Sequence, residues 1–139
     1  EIGDAKKALE IFEKDLELSQ ITPNAPFLGE LTMQIAGTAL KAGDIPGAMK
    51  YLVKGLEAMR KTNDLPTEGS LLIQLAEIHI HNQSEDQAMK YLEEALGVSQ
   101  KIKDRSMEGR TLWIWSQTLG KTGNLAGAVS RGQEAQKIY

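Results

Sequence analysis

The chain has 139 residues, of which 41% are hydrophobic and 25% are charged, and its net charge is −3. This composition is typical of a globular protein and excludes a disordered one. The acidic balance argues against nucleic acid as the main partner, because phosphate binding needs clustered Lys and Arg. The absence of cysteine excludes disulfides and thiolate metal sites, and it weakly favours a cytoplasmic location.

Two kinds of targeting segment are not predicted. No apolar run approaches the roughly 18 residues that a membrane span needs, so we expect no membrane partner. No signal-peptide pattern opens the chain. The first residue is Glu1 rather than Met, which suggests that the chain is cut from a longer protein.

The chain repeats itself every 40 residues. Alanine recurs at positions 8, 48, 88 and 128, and Ala48–Leu52 is identical to Ala88–Leu92. One further column holds glycine at positions 3, 43 and 123 with Gln83 in the remaining place, and another holds glycine at 29, 69 and 109. A fixed period of this length indicates a solenoid of stacked structural repeats.

Each period is predicted to form two helices, because apolar residues such as Ile45, Met49, Leu52 and Leu56 recur at helical spacing. Seven helices are expected, at about 3–21, 26–41, 44–61, 66–82, 84–102, 106–121 and 124–139. They would form a single array: the second helix of a truncated repeat at 1–22, then repeats at 23–62, 63–102 and 103–139.

Short polar residues precede the predicted helices, where a side chain can accept a hydrogen bond from an otherwise unpaired backbone N–H. The expected caps are Asn24, Asp44, Asp64, Ser84, Asp104 and Asn124. Ser84 and Gln87 have the spacing of a capping box. Gly43 and Gly123 stand where one helix must turn sharply into the next.

These columns resemble the tetratricopeptide repeat (TPR) family. In that family the first helix carries a large apolar residue and then an apolar–small pair. The matching positions are Thr32, Ile35 and Ala36; Leu72, Leu75 and Ala76; and Leu112, Trp115 and Ser116. The periodic alanines match the small residue of the second helix. The usual period is about 34 residues, so the chain is more similar to the long-helix branch, found in scaffold proteins, kinesin-light-chain-like adaptors and sensor arms of bacterial regulators.

The resemblance implies an all-α fold, a right-handed α–α superhelix built from antiparallel helix pairs, with the first helix of each pair lining a concave groove. The residues expected in that groove are Met33, Gly37, Lys41, Ile73, Glu77, His81, Arg110, Trp113 and Gln117. Met33, Ile73 and Trp113 share one column and would offer an apolar ladder to a partner. The alternative is that they pack against a neighbouring helix.

The groove lacks the Asn and Lys with which the chaperone-binding members of the family grip a terminal carboxylate, and only Arg110 could act as an anion clamp. We therefore expect no binding to the acidic tails of heat-shock chaperones.

Candidate chemistry is sparse. His79 and His81 are the only histidines, and because they are two apart on a helix they point in different directions and cannot pinch a metal ion. His79 is predicted to be a hydrogen-bonded core histidine and His81 to face solvent. No nucleophile is expected near either, and Gly120–Gly123 lacks the glycine spacing of a phosphate loop. The sequence predicts no cofactor, no metal and no enzymatic activity.

The predicted function is therefore a scaffold module that binds another protein or a peptide. The alternative is a regulatory or sensor arm of a larger multidomain enzyme or transcription regulator. Both ends of the array lack polar capping units, so two alternatives are open: the array continues at its ends in the parent protein, or it self-associates through them.

Overall fold

The structure, a computed structural model, describes residues 6, 7, 10, 11, 13, 14 and 25–138. Over these residues the chain contains only helices and the turns between them, and no strand. The prediction of an all-α fold is confirmed. None of the described helices combines the length and the apolar character that crossing a membrane requires.

Six helices have described bounds. They are α1 (Ala25–Lys41), α2 (Ile45–Thr62), α3 (Leu65–His81), α4 (Glu85–Ile102), α5 (Arg105–Lys121) and α6 (Leu125–Ile138). Every bound lies within one residue of its prediction. The predicted count of seven is not matched in this part of the chain. The predicted helix at 3–21 falls mostly outside the described residues, although Lys6, Lys7, Glu10, Ile11, Glu13 and Lys14 are helical.

The backbone packs into two compact units, Glu1–Thr67 and Glu68–Tyr139. In the first unit, α1 packs against α2; in the second, α5 packs against both α4 and α6. The boundary between the units falls in the first turn of α3. The three predicted repeats each contain one pair of helices, but the division into repeats at 23–62, 63–102 and 103–139 stays a prediction.

The core of the first unit forms where α1 and α2 approach closely. Leu52 and Met59 are fully buried. Thr32 is also fully buried, and its hydroxyl donates to the backbone oxygen of Leu28 over 2.8 Å, which satisfies the polar group inside the core. Gly55 lies so close to Thr32 that any Cβ at position 55 would collide with it. The absence of a side chain thus lets the two helices pack at short distance.

A helical residue upstream of α1 contacts the same unit. The Tyr51 hydroxyl donates to Glu13 Oε1 over 3.3 Å, and Lys50 and Lys54 lie 3.7 and 3.8 Å from the same carboxylate oxygen. Burial, and then the Glu13 carboxylate, raise the pKa of the Tyr51 hydroxyl. Glu13 therefore contacts α2 through polar and charged groups.

The second unit has its core on α3 and α4. Leu71, Leu72, Leu75 and Leu92 are fully buried. Gly69 lies against Met107, and a Cβ at position 69 would collide with the sulfur atom. In the first unit, Gly29 has the same relation to Thr67. Close helix packing therefore explains the periodic glycines at these two positions.

Most of the predicted caps form. Side-chain oxygens accept from the backbone N–H three residues later at Asp44 (2.9 Å), Asp64 (3.3 Å), Asp104 (3.0 Å) and Asn124 (3.0 Å). The capping box at Ser84 is wrong: its side chain makes no capping bond, because the hydroxyl is directed to the backbone oxygen of Asn82, 3.5 Å away. Asn24 lies outside the described residues.

The predicted sharp turns also form. Gly43 and Gly123 have φ of 77° and 83°, and Gln83, in the same sequence column, has φ of 58°. All three residues therefore adopt the left-handed conformation that glycine tolerates best. The turn between the two helices therefore keeps its geometry where Gln83 stands in place of glycine.

Candidate functional site

A hollow of about 220 Å³ opens between α3 and α5 in the second unit. Its lining residues are Glu77 and Ile80 from α3 and Trp113, Ile114, Gln117, Thr118 and Lys121 from α5. We call it the α3–α5 hollow. Helical spacing places the residues of each helix on one face, because positions three and four apart are neighbours on a helix surface.

The apolar part of the α3–α5 hollow is accessible. Trp113 is 53% exposed, although its indole is the largest apolar group in the lining. Ile80 and Ile114 are half-buried beside it. Water in contact with this apolar surface is released when a partner covers it, and that release favours binding.

The rim of the hollow is charged. Arg110 Nη2 lies 2.9 Å from Glu77 Oε1, so an ion pair joins α5 to α3. Both side chains are more than two-fifths exposed, at 58% and 44%, and such surface pairs contribute about 1 kcal/mol or less. Lys121 has no ion-pair partner among the described residues. The two cations and one carboxylate leave this rim with a net positive charge on an acidic chain.

Some of the predicted groove residues lie together at the hollow, whereas others differ from them in how exposed they are. Glu77, Trp113 and Gln117 line the hollow, and Arg110 joins it through Glu77. His81 is exposed at the end of α3. Ile73 is only 2% exposed, which agrees with the packing alternative rather than with an accessible rung of a ladder. Its burial leaves Trp113 as the accessible member of that column in the second unit.

The remaining predicted residues lie on α1, in the first unit. Met33 and Gly37 are half-buried and Lys41 is exposed. Gly37 has open space around the place where a Cβ would stand. Their role in binding stays a prediction, as does that of the whole predicted set.

The wall behind the hollow is an apolar cluster. Ala76, Ala88 and Leu92 are fully buried, and Ile80, Tyr91, Ile114 and Trp115 pack against them. Ile80 and Ile114 therefore have two roles, since they also line the hollow. A change in the packing of this cluster is transmitted directly to the surface that a partner would contact.

Trp115 is half-buried rather than fully buried. One side packs on the apolar cluster, and the Arg131 guanidinium of α6 lies 4.3 Å from its ring centre. Arg131 is held in turn by Glu134, with 3.2 Å between Nη1 and Oε2. Trp115 therefore contacts both the apolar cluster and, through a cation–π interaction, Arg131.

His79 departs from its predicted environment. Its ring stacks on Tyr91, with 5.4 Å between the centroids and 22° between the planes. Its Nδ1 atom is buried and has no hydrogen-bond partner among the residues that the structure describes, so the prediction of a hydrogen-bonded histidine is wrong for this atom. Burial lowers the pKa of the His79 imidazole, because desolvation disfavours the charged ring.

Sequence reasoning missed two parts of this site. Glu77 and Arg110 were each assigned to the groove, but their 33-residue separation gave no sign that they form an ion pair. Ile80 was missed altogether, although its position between Glu77 and His81 on one helix was a usable signal. Among the described residues, no three His, Asp or Glu side chains converge in a way that could hold a metal ion.

No protein-family model matches the sequence, and no curated protein is significantly similar to it. Solved structures, however, resemble the fold. BtubC (BKLC) from P. vanneervenii matches 98% of this chain with a TM-score of 0.79 and 18% identity. The chain spans 57% of that protein.

Two further similar structures contain tetratricopeptide or TPR-like repeats. The putative kinesin light chain of Podosopora anserina, with nearly identical TPR-like repeats, matches 98% of this chain and 67% of its own length, with a TM-score of 0.70 and 16% identity. A STAND signal-transduction ATPase from Pyrococcus horikoshii, with a tetratricopeptide repeat sensor, matches 94% of this chain and 23% of its own length, with a TM-score of 0.62 and 17% identity. The chain therefore has the fold of a TPR-type helical repeat.

Proposed function

We propose that the chain is a protein-binding module and that the α3–α5 hollow receives a segment of its partner. The observation that carries this proposal is Trp113, a large aromatic side chain that is 53% exposed on the face of a hollow. Tryptophan is enriched among the residues that dominate binding energy at protein interfaces. Trp115, two residues away, is used in packing instead.

The charge of the rim favours one class of partner. Arg110 and Lys121 outnumber Glu77 at the hollow, whereas the chain as a whole has a net charge of −3. We infer a peptide segment that carries a large apolar side chain beside a carboxylate. The apolar side chain would contact Trp113 and Ile80, and the carboxylate would pair with Lys121.

The test is a fluorescence titration with two matched peptide sets. Both sets carry one large apolar residue, flanked by Glu in the first set and by Lys in the second. The acidic set should shift the tryptophan emission of the wild type. Trp113→Ala removes the reporting indole, so its affinity is measured by calorimetry, and it should be weaker by more than about fivefold, which corresponds to about 1 kcal/mol. Val129→Ala is the control, because it truncates another exposed apolar side chain of the second unit that does not line the hollow, and we expect it to retain binding.

A charge reversal separates the two parts of the proposal. Lys121→Glu should transfer the preference from the acidic peptides to the basic ones, because it changes the sign of the free charge at the hollow. Binding of the acidic set that is unchanged by both Trp113→Ala and Lys121→Glu would show that the contact surface lies elsewhere on the chain.

The alternative role is a regulatory arm of a larger protein. The similarity to the STAND protein with a repeat sensor supports it, although at this identity the similarity concerns the fold alone. An ATPase, protease or DNA-binding domain encoded beside this segment in the same gene would favour the regulatory arm over a separate scaffold.

A further inference from the structure

We infer that the α3–α5 hollow is proton-regulated: a proton on His79 loosens the wall of the hollow and weakens the binding of the partner. The binding half of this inference rests on the proposed function. The other half, that a proton on His79 loosens the wall of the hollow, concerns the protein without a partner.

The geometry supplies the coupling. His79 stacks on Tyr91, and Tyr91 packs on the cluster that also supports Ile80 and Ile114. Those two isoleucines line the hollow. One continuous set of packed side chains thus runs from the imidazole to the surface on which a partner would lie, and such contacts transmit a local change in packing.

Protonation conflicts with this arrangement. A neutral imidazole needs one donor and one acceptor, whereas the imidazolium is a donor at both nitrogens. Nδ1 is enclosed without a partner among the described residues, so in the imidazolium the N–H at Nδ1 is buried without an acceptor beside an apolar cluster. Both the unpaired N–H and the desolvated charge are unfavourable. The proton is accommodated only if the ring moves away from the cluster toward water.

No charge on a neighbouring residue in the described part of the chain offsets this cost. Tyr91 on α4 brings a phenol to the imidazole, and α5 brings Ile114 and Trp115 to the same cluster. On α3 itself Glu77 and His81 are two residues from His79, a spacing at which helical side chains do not face each other. Lys121 and Glu77 lie on the hollow side. Desolvation is the one cause that shifts the pKa of His79, and it lowers it. No described carboxylate is placed to stabilise the imidazolium.

The sign of the effect follows from linkage. The folded protein has a lowered pKa for His79, so the unfolded chain, with an ordinary value of about 6.5, binds the proton more readily. The stabilisation that this group provides is complete above about pH 6.5 and is lost as the pH falls through the folded pKa. A partner that covers Ile80 and Ile114 removes further water from the cluster and lowers the pKa again. By reciprocity, protonation weakens the binding of the partner.

The chain suits a clean test because it has only two histidines. His79→Phe keeps an aromatic ring against Tyr91 and removes the titration; His79→Leu is a second version. His81→Gln is the matched control, since it removes the exposed histidine of the same helix. Circular dichroism at about pH 7.5 verifies that each variant folds.

Two readouts distinguish this inference from the proposed function. In the protein without peptide, NMR follows the His79 ring and the indole N–H of Trp113 against pH. We expect the Trp113 signal to move with the His79 titration, below about pH 6.5, in the wild type and in His81→Gln but not in the His79 variants. With the acidic peptide, affinity should fall about three- to tenfold from about pH 7.5 to 5.5, and this fall should disappear in His79→Phe.

Each outcome decides one question. A Trp113 signal that follows His79 in the free protein supports the inference even if no peptide binds, and in that case the proposed function alone fails. A His79 that titrates at its ordinary value, or a Trp113 signal that keeps its pH dependence in both His79 variants, overturns the inference even if peptides bind.

Discussion

The turn between α3 and α4 holds a glutamine where two other repeats have glycine. Gln83 has φ of 58°, and its column partners Gly43 and Gly123 have φ of 77° and 83°. A residue with a Cβ is destabilised by about 1–2 kcal/mol of steric energy in this left-handed region. A glycine loses about 0.5–1 kcal/mol more backbone entropy on folding. The difference predicts that Gln83→Gly stabilises the protein by about 0.5–1 kcal/mol.

The substitution removes nothing else that holds the turn. The Gln83 side chain is exposed, and it makes no side-chain hydrogen bond or ion pair with the described residues. Its backbone N–H donates to the Ile80 oxygen over 3.1 Å, and glycine retains that donor. The predicted gain therefore reports backbone strain rather than a change in packing.

Urea denaturation followed by far-UV circular dichroism is the assay. The midpoint should rise with an unchanged slope, because the surface exposed on unfolding stays the same. Asn82→Gly is the matched control one residue earlier, where φ is not positive, and it should destabilise by about 0.5–1 kcal/mol. A midpoint that falls as far in Gln83→Gly as in Asn82→Gly would refute the strain argument.

Two further comparisons test the packing and the caps. Gly97 is exposed within α4 with open space where a Cβ would stand, whereas a Cβ at buried Gly55 would collide with the short, fully buried side chain of Thr32. Gly97→Ala should therefore stabilise the protein by about 1 kcal/mol, and Gly55→Ala should destabilise it by about 1–3 kcal/mol. Thermal melting of the pair checks this, and equal shifts would contradict the assigned packing. Asp104→Ala should lower the free energy of unfolding by about 1 kcal/mol, because the cap bond from the Met107 N–H is lost. Ser84→Ala should leave it nearly unchanged, since the Ser84 side chain makes no cap bond. Denaturant midpoints of the two variants distinguish these outcomes.

Local features of this fold could be predicted from the sequence because their causes are local. A helix bound depends on a short polar residue such as Asp44 or Asp104 and on the backbone N–H three residues later, all within one turn. The same holds for the turns at Gly43 and Gly123, whose left-handed conformation suits glycine. The 40-residue period then copies these local causes along the chain, which is why the predicted helix bounds differ from the observed ones by one residue at most.

Local rules were insufficient where two conformations of a side chain compete. Ser84 has the right residue type and spacing for a capping box, but its hydroxyl is directed to the Asn82 oxygen. Both arrangements are open to a short hydroxyl side chain, and the residue type does not distinguish between them.

The candidate site depended on tertiary structure for most of its properties. Ile73 and Trp113 occupy the same sequence column, yet one is 2% and the other 53% exposed. Their burial is set by the side chains that surround them, and these come from other helices. The ion pair between Glu77 and Arg110 and the enclosed Nδ1 of His79 have the same origin.

The helices, their order and most of their caps follow from the amino-acid sequence, because each depends on residues within a few positions of one another. The exposure of the apolar side chains, the pairing of the charges and, among the described residues, the unpartnered Nδ1 of His79 depend on tertiary contacts. Those properties arise from contacts between helices, and the period of the sequence does not encode them.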